Sequence, residues 1–170
     1  MGFEIERKWL PENSLTERIR KERMPVTIIQ GYLCTDPVVR VRKDGNSFYL
    51  TYKGRGTLER REENLPLNET AFEELLKKCE ERIIRKDRYR VPYYELYPSS
   101  DPLRITGPDG QLTVELDVFH GCYEGLVILE VEFGSLKDSE RFVSPAEFGT
   151  EVTGKHEYTN AYLSGQKNNG

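Results

Sequence analysis

Glu4, Glu6 and Lys8 stand two residues apart at the start of the chain, and charged residues recur at that spacing along its length. Successive side chains of a strand point to opposite faces, so residues two apart share one face. By that rule Arg40 and Arg42 oppose Val39 and Val41, and Lys53 joins Tyr49 and Thr51 opposite Phe48, Leu50 and Tyr52. Arg60, Glu62 and Asn64 align, as do Lys86, Arg88 and Arg90. Glu115 and Asp117 oppose Val114, Leu116 and Val118, while Glu130 and Glu132 oppose Leu129, Val131 and Phe133. The rows are sorted by sign: acids dominate near residues 4–6, 115–117 and 130–132, bases near 40–42 and 86–90. Arg offers a rigid fork of donors for phosphate oxygens, and Lys adds point charges. Clustered carboxylates are hard oxygen ligands for Mg²⁺ or Mn²⁺. The two histidines, His120 and His156, are isolated, so activation of water falls to a metal ion or a carboxylate.

These rows need strands to carry them. Alternation and turn residues predict strands at about 3–9, 26–35, 37–44, 47–54, 57–66, 84–94, 111–120 and 126–133. Asp44-Gly45-Asn46, Pro108-Asp109-Gly110 and Glu124-Gly125 punctuate them. One helix stands out. Asn68 is placed to cap it, and Phe72, Leu75, Leu76, Cys79 and Ile83 follow a single buried stripe. Shorter helices are expected near 10–21 and 136–142. An ordinary half-buried sheet would put the charged faces in water. Charge rows segregated by sign on most strands fit better inside. The expected fold is therefore β-rich α+β: a closed eight-stranded antiparallel barrel with a charged interior and helices packed outside.

The chain of 170 residues suits one domain, expected over 1–165 with a frayed tail at 166–170. It is 32% charged, yet 25 basic and 29 acidic residues leave a net charge of only −4, so no basic field invites nucleic acid. Cys34, Cys79 and Cys122 are widely spaced and form no metal motif. The N-terminus lacks an apolar signal segment, and no run approaches the ~20 apolar residues of a membrane span. A cytoplasmic protein without a membrane partner is expected. The aromatic outer faces suit a homodimer. There is no P-loop, GxSxG or kinase motif.

Glu4-Ile5-Glu6-Arg7-Lys8 resembles the ExExK signature of the CYTH superfamily, the triphosphate tunnel metalloenzymes. Gln30-Gly31-Tyr32-Leu33, Arg40-Val41-Arg42, Lys53, Arg60-Arg61-Glu62 and Lys86-Asp87-Arg88-Tyr89 resemble family segments in family order. So do Glu115-Leu116-Asp117, Leu129-Glu130-Val131-Glu132 and Glu151-Val152-Thr153 with Tyr158-Thr159-Asn160, so that the resemblance runs over about residues 3–163. It implies a tunnel that binds a small triphosphate with Mg²⁺ or Mn²⁺. It also implies that Glu4, Glu6, Glu130 and Glu132 hold metal, and that Arg40, Arg42, Lys53, Lys86 and Arg88 grip phosphate, with Arg60 and Arg90 as weaker carry-overs. Lys8 would then lie near the reacting end, and Glu62, Glu115 and Asp117 would serve a second metal or orient water. Asn64 departs from the family's R-x-E-x-E run, where a second acid is usual.

The expected activity is metal-dependent hydrolysis of inorganic tripolyphosphate to pyrophosphate and phosphate. The resemblance also covers thiamine triphosphatases and class IV adenylate cyclases, which remain alternatives. A non-catalytic polyphosphate or nucleotide sensor is the rival from another class; retained metal ligands argue against it.

Overall fold

The alternating segments form strands, and a computed structural model of the chain describes residues 2–55, 59–98 and 104–165, without the side chains of residues 2, 3, 59 and 60. The strands are β1 (Gly2–Leu10), β2 (Val26–Thr35), β3 (Val38–Asp44), β4 (Ser47–Lys53), β5 (Glu59–Pro66), β6 (Ile83–Pro92), β7 (Thr113–Phe119), β8 (Val127–Glu132) and β9 (Thr150–Glu151). They make one antiparallel sheet in the order β5-β4-β3-β2-β6-β7-β8-β1-β9, and β5 is additionally paired with β1 through Gly2–Ile5. The helices are α1 (Asn13–Glu22), α2 (Glu69–Lys77), α3 (Tyr93–Leu96), α4 (Leu136–Arg141) and α5 (Asn160–Gly165). None of the described helices is long and apolar enough to cross a membrane. The tail expected at 166–170 lies outside the described residues.

Several details differ from the sequence expectation. Nine strands replace eight, because the two-residue β9 pairs with Trp9 and Leu10 on the side of β1 away from β8. β6 stops at Pro92 rather than 94: proline has no N–H to extend a ladder, and the chain turns into α3. α2 starts as expected, with the Asn68 side chain accepting from the Ala71 N–H at 2.8 Å. Its stripe is cut short, however. The helix ends at Lys77, Glu80 takes a left-handed φ of 53°, and Ile83 opens β6.

The apolar faces turn outward and are covered. Trp9, Val114, Leu116, Leu129 and Val131 pack with Leu15 and Ile19 of α1 and with Tyr93, Phe142 and Phe148. Phe148 and Phe142 meet Trp9 edge-on, with ring centroids 5.1 Å and 6.0 Å away. Over β2, β3 and β4, Phe72 of α2 and Cys79 cover Val41, Ile29, Phe48 and Leu50. Each large apolar side chain buried this way contributes about 1.5–3 kcal/mol, and that decides which face of the sheet turns away from water. Gly31 permits a close approach of this cover: a Cβ there would lie 2.7 Å from Cys79 Sγ and 2.8 Å from Leu76 Cδ1. A third cluster joins Tyr32, Val38, Ile84, Phe119 and Ile128 to Leu163 of α5. By alternation those five sheet residues share faces with the charged rows, so α5 covers an apolar end of the charged face.

β9 is tied to β1 by more than its backbone. Arg7, on the outer face of β1, donates from Nε and Nη2 to the two carboxylate oxygens of Glu151, both at 2.8 Å. Those hydrogen bonds hold the Glu151 carboxyl below its ordinary pKa. A lowered folded-state pKa contributes stability above the unfolded value, and the contribution fades as pH falls through the folded value. The pair is partly solvated, so Glu151→Gln should cost only about 0.5–1 kcal/mol near neutral pH. Denaturant titrations should show that difference closing as pH falls through the lowered folded-state value, where the wild-type carboxyl becomes protonated as well.

Candidate active site

The charged rows meet on the inner face of the sheet, around a cavity of about 210 Å³. Three ion pairs reach over an intervening strand. Lys53 of β4 contacts Glu4 of β1 across β5, Arg88 Nη2 of β6 lies 2.7 Å from Glu130 Oε2 of β8 across β7, and Arg90 Nη2 lies 2.7 Å from Asp44 Oδ2 of β3 across β2. Neighbouring strands are about 4.8 Å apart, so such pairs close only where the face is strongly concave.

Most cations in the cavity are answered by acids. Lys8 Nζ lies 2.7 Å from Glu130 and 3.2 Å from Glu6. Lys53 lies 2.7 Å from Glu62 as well as touching Glu4. Arg88 donates from Nε and Nη2 to Asp117, at 2.6 and 2.7 Å, and also contacts Glu115 and Glu130. Burial opposes the charge of Glu130, but Lys8 and Arg88 outweigh it and hold the carboxyl well below the usual range. The same balance keeps Arg88 firmly charged, with Asp117 and Glu115 prevailing over burial.

Two groups on the inner face break that pattern. On β3, Arg40 and Arg42 are only 5% and 7% exposed, yet among the described residues neither forms an ion pair. Neutral groups hold them instead. Arg42 Nε donates to Gln30 Oε1 at 3.0 Å, and its Nη1 lies 3.5 Å from the Tyr49 hydroxyl. Arg40 Nε is buried without a hydrogen-bond partner. Burial opposes the Arg40 charge, but Tyr32, Glu62 and Glu4 offset it and raise its pKa.

The second group is acidic. Glu6 of β1 stands directly opposite Glu132 of β8, a cross-strand pairing of like charges that is unfavourable without a cation. Partial desolvation, then the neighbouring Glu4, Glu6, Glu62 and Glu115, push the Glu132 carboxyl above its ordinary pKa. As placed, among the described residues no three acidic, histidine or cysteine side chains converge on one point that would hold an ion. The donors are nonetheless of the right kind: carboxylate oxygens of Glu4, Glu6, Glu130 and Glu132 gathered on one side of the cavity.

Of the residues expected from sequence, Glu4, Glu6 and Lys8 of β1 line the cavity, as do Glu130 and Glu132 of β8. Arg40, Arg42, Lys53, Glu62, Arg88 and Glu115 complete its walls. Lys86 and Asp117 do not line it. Both are wholly buried beneath it and paired with each other, and Asp117 also anchors Arg88. The Arg60 side chain lies outside the described residues, although its backbone pairs with Glu4. Asn64 accepts from Thr51 Oγ1 at 2.6 Å and donates to Glu62 Oε1 at 2.8 Å, so the amide orients that acid.

Sequence reasoning placed Gln30, Tyr32, Thr159 and Asn160 in family-like segments but gave no site role to them, to Tyr49 or to Asp44. For Gln30 and Tyr32 a signal existed: polar groups two apart on a strand of otherwise apolar residues. For Thr159 and Asn160 the signal was the resemblance of Tyr158-Thr159-Asn160 to a family segment.

No protein-family model matches the chain. It is 37% identical over 168 residues to an inorganic triphosphatase of Nitrosomonas europaea, covering 95% of this chain and 96% of that protein. An inorganic triphosphatase of Acetivibrio thermocellus is 34% identical over 168 residues, covering 96% and 94%. Among solved structures, the crystal structure of an inorganic triphosphatase superposes with a TM-score of 0.60 at 32% identity, covering 98% of this chain and 97% of the other. Near-complete coverage at this identity, together with the ExExK start of β1 and the paired charge rows, places the chain in the inorganic triphosphatase family of the CYTH superfamily.

Proposed function

We propose that the protein is a divalent-metal-dependent hydrolase that splits inorganic tripolyphosphate into pyrophosphate and phosphate within a closed, tunnel-shaped sheet. The polarity of the cavity carries this reading. Arg40 and Arg42 form a cationic wall that makes no ion pair among the described residues, while Glu4, Glu6 and Glu132 crowd negative charge around β1 and β8. A polyanion would satisfy the first, and a hard cation held by the acids would satisfy the second. The pairing of β5 with β1 supports the tunnel, because it joins strands near the two ends of the sheet order.

Glu4, Glu6, Glu130 and Glu132 would hold Mg²⁺ or Mn²⁺, which when bound neutralises charge on the phosphate oxygens. The chain's own residues do the rest. Arg40 and Arg42 present guanidinium forks to the phosphates. Arg88 adds a third, its orientation fixed from below by Asp117. Lys8 and Lys53 exchange their acidic partners for phosphate oxygens. Glu62, held by Asn64, and Glu115 are the carboxylates placed to orient the attacking water. Water attacks the terminal phosphorus in line, the anhydride P–O bond breaks, and pyrophosphate leaves. Such catalysis consists mostly of positioning and charge stabilisation.

Phosphate release should be strong from tripolyphosphate with Mg²⁺ or Mn²⁺, and should vanish in chelator. It should be weak from ATP, thiamine triphosphate and pyrophosphate. Equal turnover of ATP, or cyclic AMP as its product, would overturn the assignment. Arg40→Ala should raise KM for tripolyphosphate by on the order of 10-fold or more in a normally folded protein, since a charge-assisted phosphate contact is lost. Glu132→Gln should shift the activating metal concentration upward while leaving the circular dichroism spectrum unchanged. An unaltered metal titration would remove Glu132 from the ligand set.

A further inference from the structure

We infer that Gln30 is the positioning residue of the phosphate-binding wall: a buried, uncharged clamp that orients Arg42 and Tyr32 without spending the guanidinium's charge. This rests on the triphosphate reading and extends it to a residue outside the charge rows. Gln30 is 0% exposed, and both ends of its amide are used. Its Oε1 accepts from Arg42 Nε at 3.0 Å, and its Nε2 donates to the Tyr32 hydroxyl at 2.9 Å. The β2–β3 register places Gln30 opposite Arg42 and Tyr32 opposite Arg40, so one amide organises the wall around both arginines.

The identity of the clamp matters because the cavity uses a different one elsewhere. Lys8, Lys53 and Arg88 are each held by carboxylates, which orient a cation and neutralise it together. Gln30 orients through the same kind of contact but brings no charge. With Nε taken by Gln30 and Nη1 turned toward Tyr49, the outer edge of the Arg42 fork remains for a ligand. Tyr32 gains direction as well. A phenol oxygen that accepts from Gln30 keeps its own proton for another partner, and Tyr32 lines the cavity. A glutamate of the same shape would reverse both effects. It would pair with Arg42, and it would draw the Tyr32 proton toward itself and away from the cavity.

Two variants separate this role from simple packing. Gln30→Glu preserves volume and strengthens the contact with Arg42, so a purely structural residue would tolerate it better than Gln30→Met, which removes both hydrogen bonds. The positioning role demands the reverse order for substrate. Gln30→Glu should raise KM for tripolyphosphate by on the order of 10-fold or more, with kcat changed less, and should weaken tripolyphosphate binding measured by calorimetry in chelator. Gln30→Met should raise KM by roughly threefold, through loss of orientation alone. Both proteins are first checked by thermal melting. If Gln30→Glu retains wild-type KM, or if Gln30→Met is the more impaired in KM, the inference is overturned. If Gln30→Glu does not fold, Gln30→Met decides, and an unchanged KM overturns the proposal. Wild-type protein is the control for the underlying reading: failure of wild type to hydrolyse tripolyphosphate overturns the proposed function, whereas normal wild-type turnover with indifferent variants removes only Gln30.

Discussion

Charges of one sign repeated along one face of a strand cannot be buried by their own neighbours; they must meet the opposite sign from another strand, or water, or a ligand. Much of the architecture follows from that constraint. Lys53 finds Glu4 and Arg88 finds Glu130 only because the sheet curves enough for side chains two strands apart to touch. The curvature in turn exposes the convex, apolar face, which α1 and α2 then cover with Leu15, Ile19 and Phe72. Removing an ion from water is costly unless it is paired and hydrogen-bonded, so the inner face is stable only where partners are complete.

Among the described residues the charge balance is uneven, and the unevenness is arranged rather than scattered. The surplus of cation is on β3, where among the described residues neither Arg40 nor Arg42 forms an ion pair and Arg42 leans on an amide and a phenol. The acidic crowding lies between β1 and β8, where Glu6 faces Glu132. The cavity thus sets a surplus of cation on one wall against a crowd of acids on another. Elsewhere the balance is already closed, as at Lys86 and Asp117, and Asp117 also holds Arg88 from beneath.

The charge rows were readable because alternation is a local rule, true of a strand wherever it sits. Glu4 with Glu6, Arg40 with Arg42 and Glu130 with Glu132 could be sorted by face before any strand was placed. Alternation does not report depth along the strand, so Asp117 and Lys86 read the same as Glu115 and Arg88 although they sit below the cavity. The end of α2 was overextended because Cys79 and Ile83 keep helical spacing, whereas Glu80, which turns the chain, is not a residue type that announces a left-handed bend. β9 and α5 are too short to show a period. Gln30 was passed over for a different reason: it is neutral, and its role exists only through the charge it leaves intact.

Gly31 separates Gln30 from Tyr32, and its missing side chain is what lets Leu76 and Cys79 press on β2 from outside. A one-residue slip of β2 would turn Gln30 or Tyr32 outward into space that has room for less than a methyl group, while sending Gly31 inward. The helix end therefore works as a detent, a mechanical stop that admits β2 in a single alignment and so keeps the inner wall in register with the arginines it serves.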